Sequence, residues 1–193
     1  MKNIAVFCAS SEGLNPIYLK TAYETGKAIA RAGYGVVYGG AAIGCMGAVA
    51  QGALDHQGKV IGVLPHFLNK KEVAHQGLSE LIMVESMHER KLKMNELSNA
   101  IITLPGGFGT FEELFEIITW EQLGLHQKPT IVFNVNNFYD HLLSQLKHMC
   151  TEGLLKQKHF DLLSFKDNID QVLKAIEKNH AFNPLLKDSY KKV

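Results

Sequence analysis

Long apolar runs are missing from this chain, and so is an excess of charge of either sign. It carries 20 lysines and arginines against 19 aspartates and glutamates, a formal net charge of +1 over 193 residues. The cations are dispersed, so no nucleic-acid surface is expected, and the short basic stretch at residues 187–192 reads as a solvated tail. No charged leader, cleavage site or membrane-length apolar span precedes the first apolar segment. Neither an export signal nor a membrane partner is therefore expected, and the cytoplasm is the expected location.

Cysteine is scarce as well. Cys8, Cys45 and Cys150 lack paired spacing, which argues against both a disulfide framework and a zinc site. The 9 histidines form no His-Glu-x-x-His or similar cluster. His141 and His148 share a predicted helix face and read as surface residues. No metal and no cofactor is expected. Repeats, low-complexity runs and linkers are absent too, so residues 1–193 read as one domain with ample apolar content for a core.

What is present is a regular alternation. Apolar runs at residues 4–8, 35–38, 59–64, 81–84, 100–104 and 129–133 read as short strands. Helical spacing occupies residues 16–32, 44–56, 87–98, 110–124 and 137–150, followed by a short apolar segment at 160–165 and a helix at 169–178. The pattern predicts an α/β fold, a doubly wound, Rossmann-like parallel sheet sandwiched by helices. Ligands of such sheets lie beyond the carboxyl ends of the strands, where the strand order reverses. Four loops leave strands in that direction: residues 8–11 with Ser10, residues 39–47 with Gly39, Gly40 and Gly44, residues 65–77, and the turn at 104–113.

That last turn, Leu104-Pro105-Gly106-Gly107-Phe108-Gly109-Thr110-Phe111-Glu112-Glu113, is the most informative segment. Three glycines carry the chain from a strand into a helix, with Thr110 placed to cap it. The free N–H groups of such a helix start make a phosphate seat. A carboxylate in the first turn, Glu112 or Glu113, opposes an anionic ligand unless it does chemistry; the plainer reading is that the acidic pair complements the helix dipole. The glycine spacing is not the nicotinamide fingerprint, and no Gly-Lys-Ser/Thr follows to make a Walker loop. Two glycine-rich turns on one sheet suit a nucleotide with a phosphate at one end. Upstream, Met87-His88-Glu89-Arg90-Lys91 opens a helix. Arg90 offers a planar fork for two phosphate oxygens or a carboxylate, and Lys91 a point charge; a solvated face near Glu89 and Glu96 is the alternative.

Met-His-x-Arg-Lys followed at this distance by Pro-Gly-Gly-x-Gly-Thr-x-x-Glu resembles the "lonely guy" family, cytokinin riboside 5′-monophosphate phosphoribohydrolases formerly labelled lysine decarboxylases. The similarity runs through Val6-Phe7-Cys8-Ala9-Ser10-Ser11, Val36-Val37-Tyr38-Gly39-Gly40, Met46-Gly47-Ala48-Val49-Ala50 and Val60-Ile61-Gly62-Val63-Leu64-Pro65. It continues through Ile118-Thr119-Trp120-Glu121-Gln122-Leu123-Gly124 to Lys128-Pro129 and Asn134-Val135, covering roughly residues 4 to 145.

The resemblance implies hydrolysis of the N-glycosidic bond of an adenine or N6-substituted adenine ribonucleoside 5′-monophosphate. It assigns catalysis to Arg90 and Glu113, and substrate contacts to Arg90, Lys91, Glu72 and Thr119. Gly107, Phe108, Gly109 and Thr110 would cradle the phosphate beside Gly106, with Ser10, Gly39, Gly40 and Gly44 lining the site. It also implies a homodimer with its sites near the interface. Two departures stand out: Ala9 replaces a family glycine, and Ala41-Ala42 replaces Gly-Ser/Thr. The competing expectations are a non-enzymatic nucleotide or molybdenum-cofactor carrier, and a lysine decarboxylase, which would need pyridoxal phosphate and a Schiff-base lysine.

Overall fold

The computed structural model describes residues 2–69 and 75–182. Its sheet has seven strands: β1 (Asn3–Phe7), β2 (Gly35–Tyr38), β3 (Val60–Pro65), β4 (Glu80–Val84), β5 (Ala100–Thr103), β6 (Thr130–Phe133) and β7 (Leu163–Lys166). All pair in parallel, in the order β4-β3-β2-β1-β5-β6-β7. Strands β2, β3, β5 and β6 are buried along their whole length, as strands covered on both faces must be.

Helices α1 (Ile17–Arg31), α2 (Gly44–Leu54) and α7 (Ile169–Phe182) cover one face, where Ile4, Val6, Val36, Ile102 and Ile131 pack with Ile29, Val49, Val172 and Ile176. Helices α3 (Met87–Leu97), α4 (Phe108–Gln122) and α5 (Asp140–Thr151) cover the other; there Ala5, Val37, Val63 and Ile101 meet Met94 and Ile117, and Val132 meets Leu114 and Leu146. A one-turn helix, α6 (Gln157–Phe160), leads into β7. The doubly wound sheet expected from the sequence is the fold.

Three local expectations are revised. The apolar segment at 160–165 becomes the end of α6 and a seventh strand, at the sheet edge, where Ser164, Phe165 and Lys166 are only partly covered. The helix expected from 137 starts at Asp140, because Asn136 and Asn137 take left-handed conformations (φ 52° and 59°) that an α-helix cannot continue through. A 3₁₀ turn, Val135–Asn137, fills the gap. Third, α4 starts earlier than Thr110, with consequences for the site.

The candidate active site at the strand-order reversal

The reversal of strand order lies at β1, which pairs with β2 on one side and β5 on the other. The chain leaves both neighbours at the same end, so the loops after β1, β2 and β5 converge. Main-chain bonds tie them together: Ala9 N–H donates to the Pro105 carbonyl at 3.3 Å, Met46 N–H to Ala9 at 3.2 Å and Cys45 N–H to Ser11 at 3.2 Å. Gly44 takes φ +58° beneath Ser10, whose carbonyl a methyl group on residue 44 would overlap. Ser10 itself is exposed beside this junction. A crevice of about 280 Å³ opens there, walled by Tyr18, Cys45, Phe138 and Pro105, with Gly106 and Gly107 at one end.

Helix α4 begins at the crevice. Gly107 is its N-cap in an extended conformation, and no side chain caps it. Its first internal bond runs from Phe111 N–H to the Gly107 carbonyl at 3.1 Å. The N–H groups of Phe108, Gly109 and Thr110 precede that bond, so they have no helical acceptor and form an anion seat at the positive end of the dipole. Thr110 is not the cap. It sits inside the first turn, buried against Gly106, because extended backbone at Gly107 lets the helix start sooner. Glu112 and Glu113 consequently fall beyond the first turn, which contains no acidic residue. Gly107, Phe108 and Gly109 are exposed.

Arg90, on α3, is 6% exposed. Its Nε donates to the Val63 carbonyl at 3.2 Å and its Nη2 to the Gly39 carbonyl at 3.0 Å. Among the described residues no ion pair involves it, so main-chain dipoles orient a cation that they do not neutralise. Glu113 projects from α4 into the same region, 9% exposed. Burial pushes its carboxyl up to about 7, against the pull of Arg90, which holds it lower than burial alone would. Cys8, at the end of β1, is buried beside them; burial first, then Cys45 and Glu113, hold its thiol well above the usual range, so it is inert at neutral pH.

Lys91 faces elsewhere. Its ammonium meets Glu112 Oε1 and lies 2.6 Å from Glu116 Oε2. Burial works against its charge, but the hydrogen bonds it donates to Glu112 and Glu116 outweigh that and raise its pKa. Thr119 is exposed, with its hydroxyl donating to the Phe115 carbonyl of its own helix at 2.6 Å. It lies about two and a half turns beyond Thr110, away from this crevice. Gly40 adopts φ +83° just past β2. Glu72 lies outside the described residues.

The structure also shows a buried polar cluster that the sequence reading missed. Lys128 donates to the carbonyl and side-chain oxygens of Asn95, His126 Nε2 bonds the Ile117 carbonyl at 2.9 Å, and Thr130 donates to Glu121 Oε2 at 3.2 Å. Burial drives Glu121 up to about 7, His126 down to about 4 and Lys128 down to about 8. The cluster lies where β6 begins, at the sheet end opposite the crevice, and no local spacing announces it. Among the described residues, no group of three or more histidine, cysteine or acidic side chains is arranged to hold a metal, and no helix is long and apolar enough to cross a membrane.

Residues 46–176 match a family described as possible lysine decarboxylase. A cytokinin riboside 5′-monophosphate phosphoribohydrolase of Rhodococcoides fascians is 48% identical over 155 residues, spanning 80% of this chain and 78% of that protein. One from Arabidopsis thaliana is 38% identical over 176 residues, spanning 91% and 83%. Among solved structures, a molybdenum cofactor binding protein from Rippkaea orientalis superposes with TM-score 0.69 at 24% identity, covering 92% of this chain and 97% of that one. The molybdenum cofactor carrier protein of Chlamydomonas reinhardtii superposes with TM-score 0.70 at 21% identity, covering 94% and 99%. At those identities the two structures speak for the fold alone.

Proposed function

The chain belongs to the lonely guy family of nucleotide phosphoribohydrolases, hydrolases of an N-glycosidic bond, and on that premise we propose that its substrate is an adenine or N6-substituted adenine ribonucleoside 5′-monophosphate. The products are the free base and ribose 5-phosphate. The observation that carries this reading is the buried carboxyl of Glu113 behind an uncapped, glycine-lined helix N-terminus, with an unneutralised arginine beside it.

The 5′-phosphate sits on the N–H groups of Phe108, Gly109 and Thr110. Breaking the C1′–N bond builds oxocarbenium character on the ribose, which the Glu113 carboxylate stabilises while orienting or deprotonating the attacking water. Arg90 favours the ionised form of Glu113 against burial and supplies positive charge where the base departs. Binding energy from the phosphate orients the reacting sugar, so activity depends on it.

A carrier would use the phosphate seat but not Glu113, and the relatives at 38% and 48% identity carry the hydrolase name. A decarboxylase needs a lysine that can become a neutral amine, whereas Lys91 is locked as an ammonium between two carboxylates. We further propose a cytoplasmic homodimer. Leu92 on α3, Phe115 on α4, and Leu123 and Leu125 just after it are all exposed, which supports pairing through this helical layer.

The test is base release from adenosine 5′-monophosphate and its isopentenyl derivative, by wild type and Glu113→Gln, with adenosine as control. Phosphate-dependent release that collapses in the variant supports the hydrolase. Retained nucleotide binding without release from either substrate would overturn it in favour of the carrier.

A further inference from the structure

The glycine after β2 is tied to Arg90 twice over. Its carbonyl accepts from Nη2, and its α-carbon is the surface on which the guanidinium lies. A methyl group at residue 39 would overlap Arg90 Nη2, stand 3.1 Å from Arg90 Cζ, and come within 2.8 Å of Met46 Sδ. These nearest obstacles are the far ends of two flexible side chains, not main-chain atoms. The backbone at Gly39 is not left-handed either, so an alanine there is conformationally ordinary. What a methyl group at 39 would displace first is therefore the arginine, with Met46 next, and not the main chain.

We infer that Gly39 is a positioning residue for catalysis: its missing side chain is the berth that holds the Arg90 guanidinium against the ends of β2 and β3, facing Glu113. The family resemblance assigns the glycines of this loop to substrate contact, whereas the geometry gives this one an intramolecular task. The kinetic part of the inference rests on the phosphoribohydrolase reading; the structural part does not.

Displacing the guanidinium removes an attractive charge from Glu113. The other groups whose charge reaches that carboxyl are Lys91 on α3, Glu112 and Glu116 on its own helix, and Cys8 at the end of β1. Lys91 is already spoken for by Glu112 and Glu116, so nothing replaces Arg90.

The experiment compares wild type, Gly39→Ala, Arg90→Ala and the double variant. The chain has two arginines, Arg90 and the exposed Arg31, so the arginine Nε–H region of an ¹⁵N spectrum holds two side-chain signals. In Gly39→Ala the Arg90 signal should lose its protection from solvent exchange, while Arg31 stays unchanged. Base release should fall about 10²-fold, and the acid limb of the rate profile should move up by about one pH unit. Adding Gly39→Ala to Arg90→Ala should cost nothing further.

An unshifted Arg90 signal and rate profile, or losses that multiply in the double variant, would overturn the inference. If Gly39→Ala folds poorly, the double variant decides. Recovered stability supports the berth, because the nearer obstacle has gone; continued misfolding overturns it, since the glycine then serves Met46 or the backbone rather than the arginine. Absence of base release by the wild type would sink the phosphoribohydrolase reading and leave the Nε–H comparison to judge the berth.

Discussion

Lys91 Nζ lies 2.6 Å from Glu116 Oε2 while also meeting Glu112, so one lysine on α3 clasps two carboxylates a turn apart on α4. The clasp joins the helix that carries Arg90 to the helix that carries Glu113. Its lysine is 9% exposed and Glu116 24%, which makes it more than a surface pair. Lys91→Met should lower stability by roughly 1–3 kcal/mol, mainly by stranding Glu116. Calorimetry should show a midpoint lower by several degrees, and Glu112→Gln, at a half-exposed position, a smaller fall.

On the proposed mechanism, Glu113 sets the acid limit of catalysis. With its carboxyl at about 7, base release should rise with pH through neutrality as the carboxylate forms. Glu113→Gln should lose about 10²–10⁴-fold in kcat with little change in KM. A rate profile flat from pH 5 to 9 would contradict this.

The same carboxyl makes stability depend on pH. Its folded value near 7 exceeds its ordinary value of 4.5, so the folded chain keeps a proton that the unfolded chain releases. That contribution is full below pH 4.5 and is lost as the pH rises through 7. Glu113→Gln, which never ionises, should therefore gain on wild type between pH 4.5 and 7, by up to roughly 3 kcal/mol above neutrality. Denaturant titrations at pH 5 and pH 8 measure the difference.

His126 works in the opposite direction. Lys128 N–H donates to its Nδ1 at 3.2 Å while Nε2 bonds Ile117, so both ring nitrogens are used by the neutral form. Burial holds its pKa down at about 4, against an ordinary 6.5. Its contribution is complete above pH 6.5 and drains away as the pH falls toward 4. His126→Phe should be less stable at pH 7, and the gap from wild type should narrow by pH 4.5.

Space around the glycines of the phosphate turn separates packing from binding. Among the described residues, and apart from its chain neighbours and its own helix backbone, no atom lies within 4 Å of a methyl carbon built on Gly109, whereas one on Gly106 would overlap Thr110. Gly109→Asp should leave the thermal midpoint nearly unchanged yet raise KM for the monophosphate more than tenfold, by placing a carboxylate in the anion seat. Gly106→Ala should lower the midpoint as well.

The layout was readable because fully buried parallel strands leave continuous apolar runs, as at Val36-Val37-Tyr38 and Ala100-Ile101-Ile102. Strand β7 escaped because an edge strand ending in Lys166 needs no such run. The phosphate turn was legible as glycines between a strand and a helix. Its register was not, since Thr110 has the chemistry of a cap and only the extended backbone at Gly107 shows that it is not one. Arg90 and Lys91 look alike as neighbours in sequence. Their divergence, one toward the Val63 and Gly39 carbonyls and the other toward Glu112 and Glu116, is decided by what α3 packs against. Glu121, His126 and Lys128 find their partners on different elements, Thr130 on β6, Ile117 on α4 and Asn95 on α3.

The central place of β1 has a consequence for how the protein comes into being. Its partners are Gly35 through Val37 on one side and Ala100 through Thr103 on the other, so one neighbour is local and the other is nearly a hundred residues away. During synthesis the half-sheet β1 to β4 can assemble as soon as it emerges, but β1 then presents an open apolar edge until β5 arrives. The turn that follows β5 is the proposed phosphate seat. Capping that edge and building the candidate crevice are thus one event, and a nascent chain has no crevice until its most hazardous surface is closed.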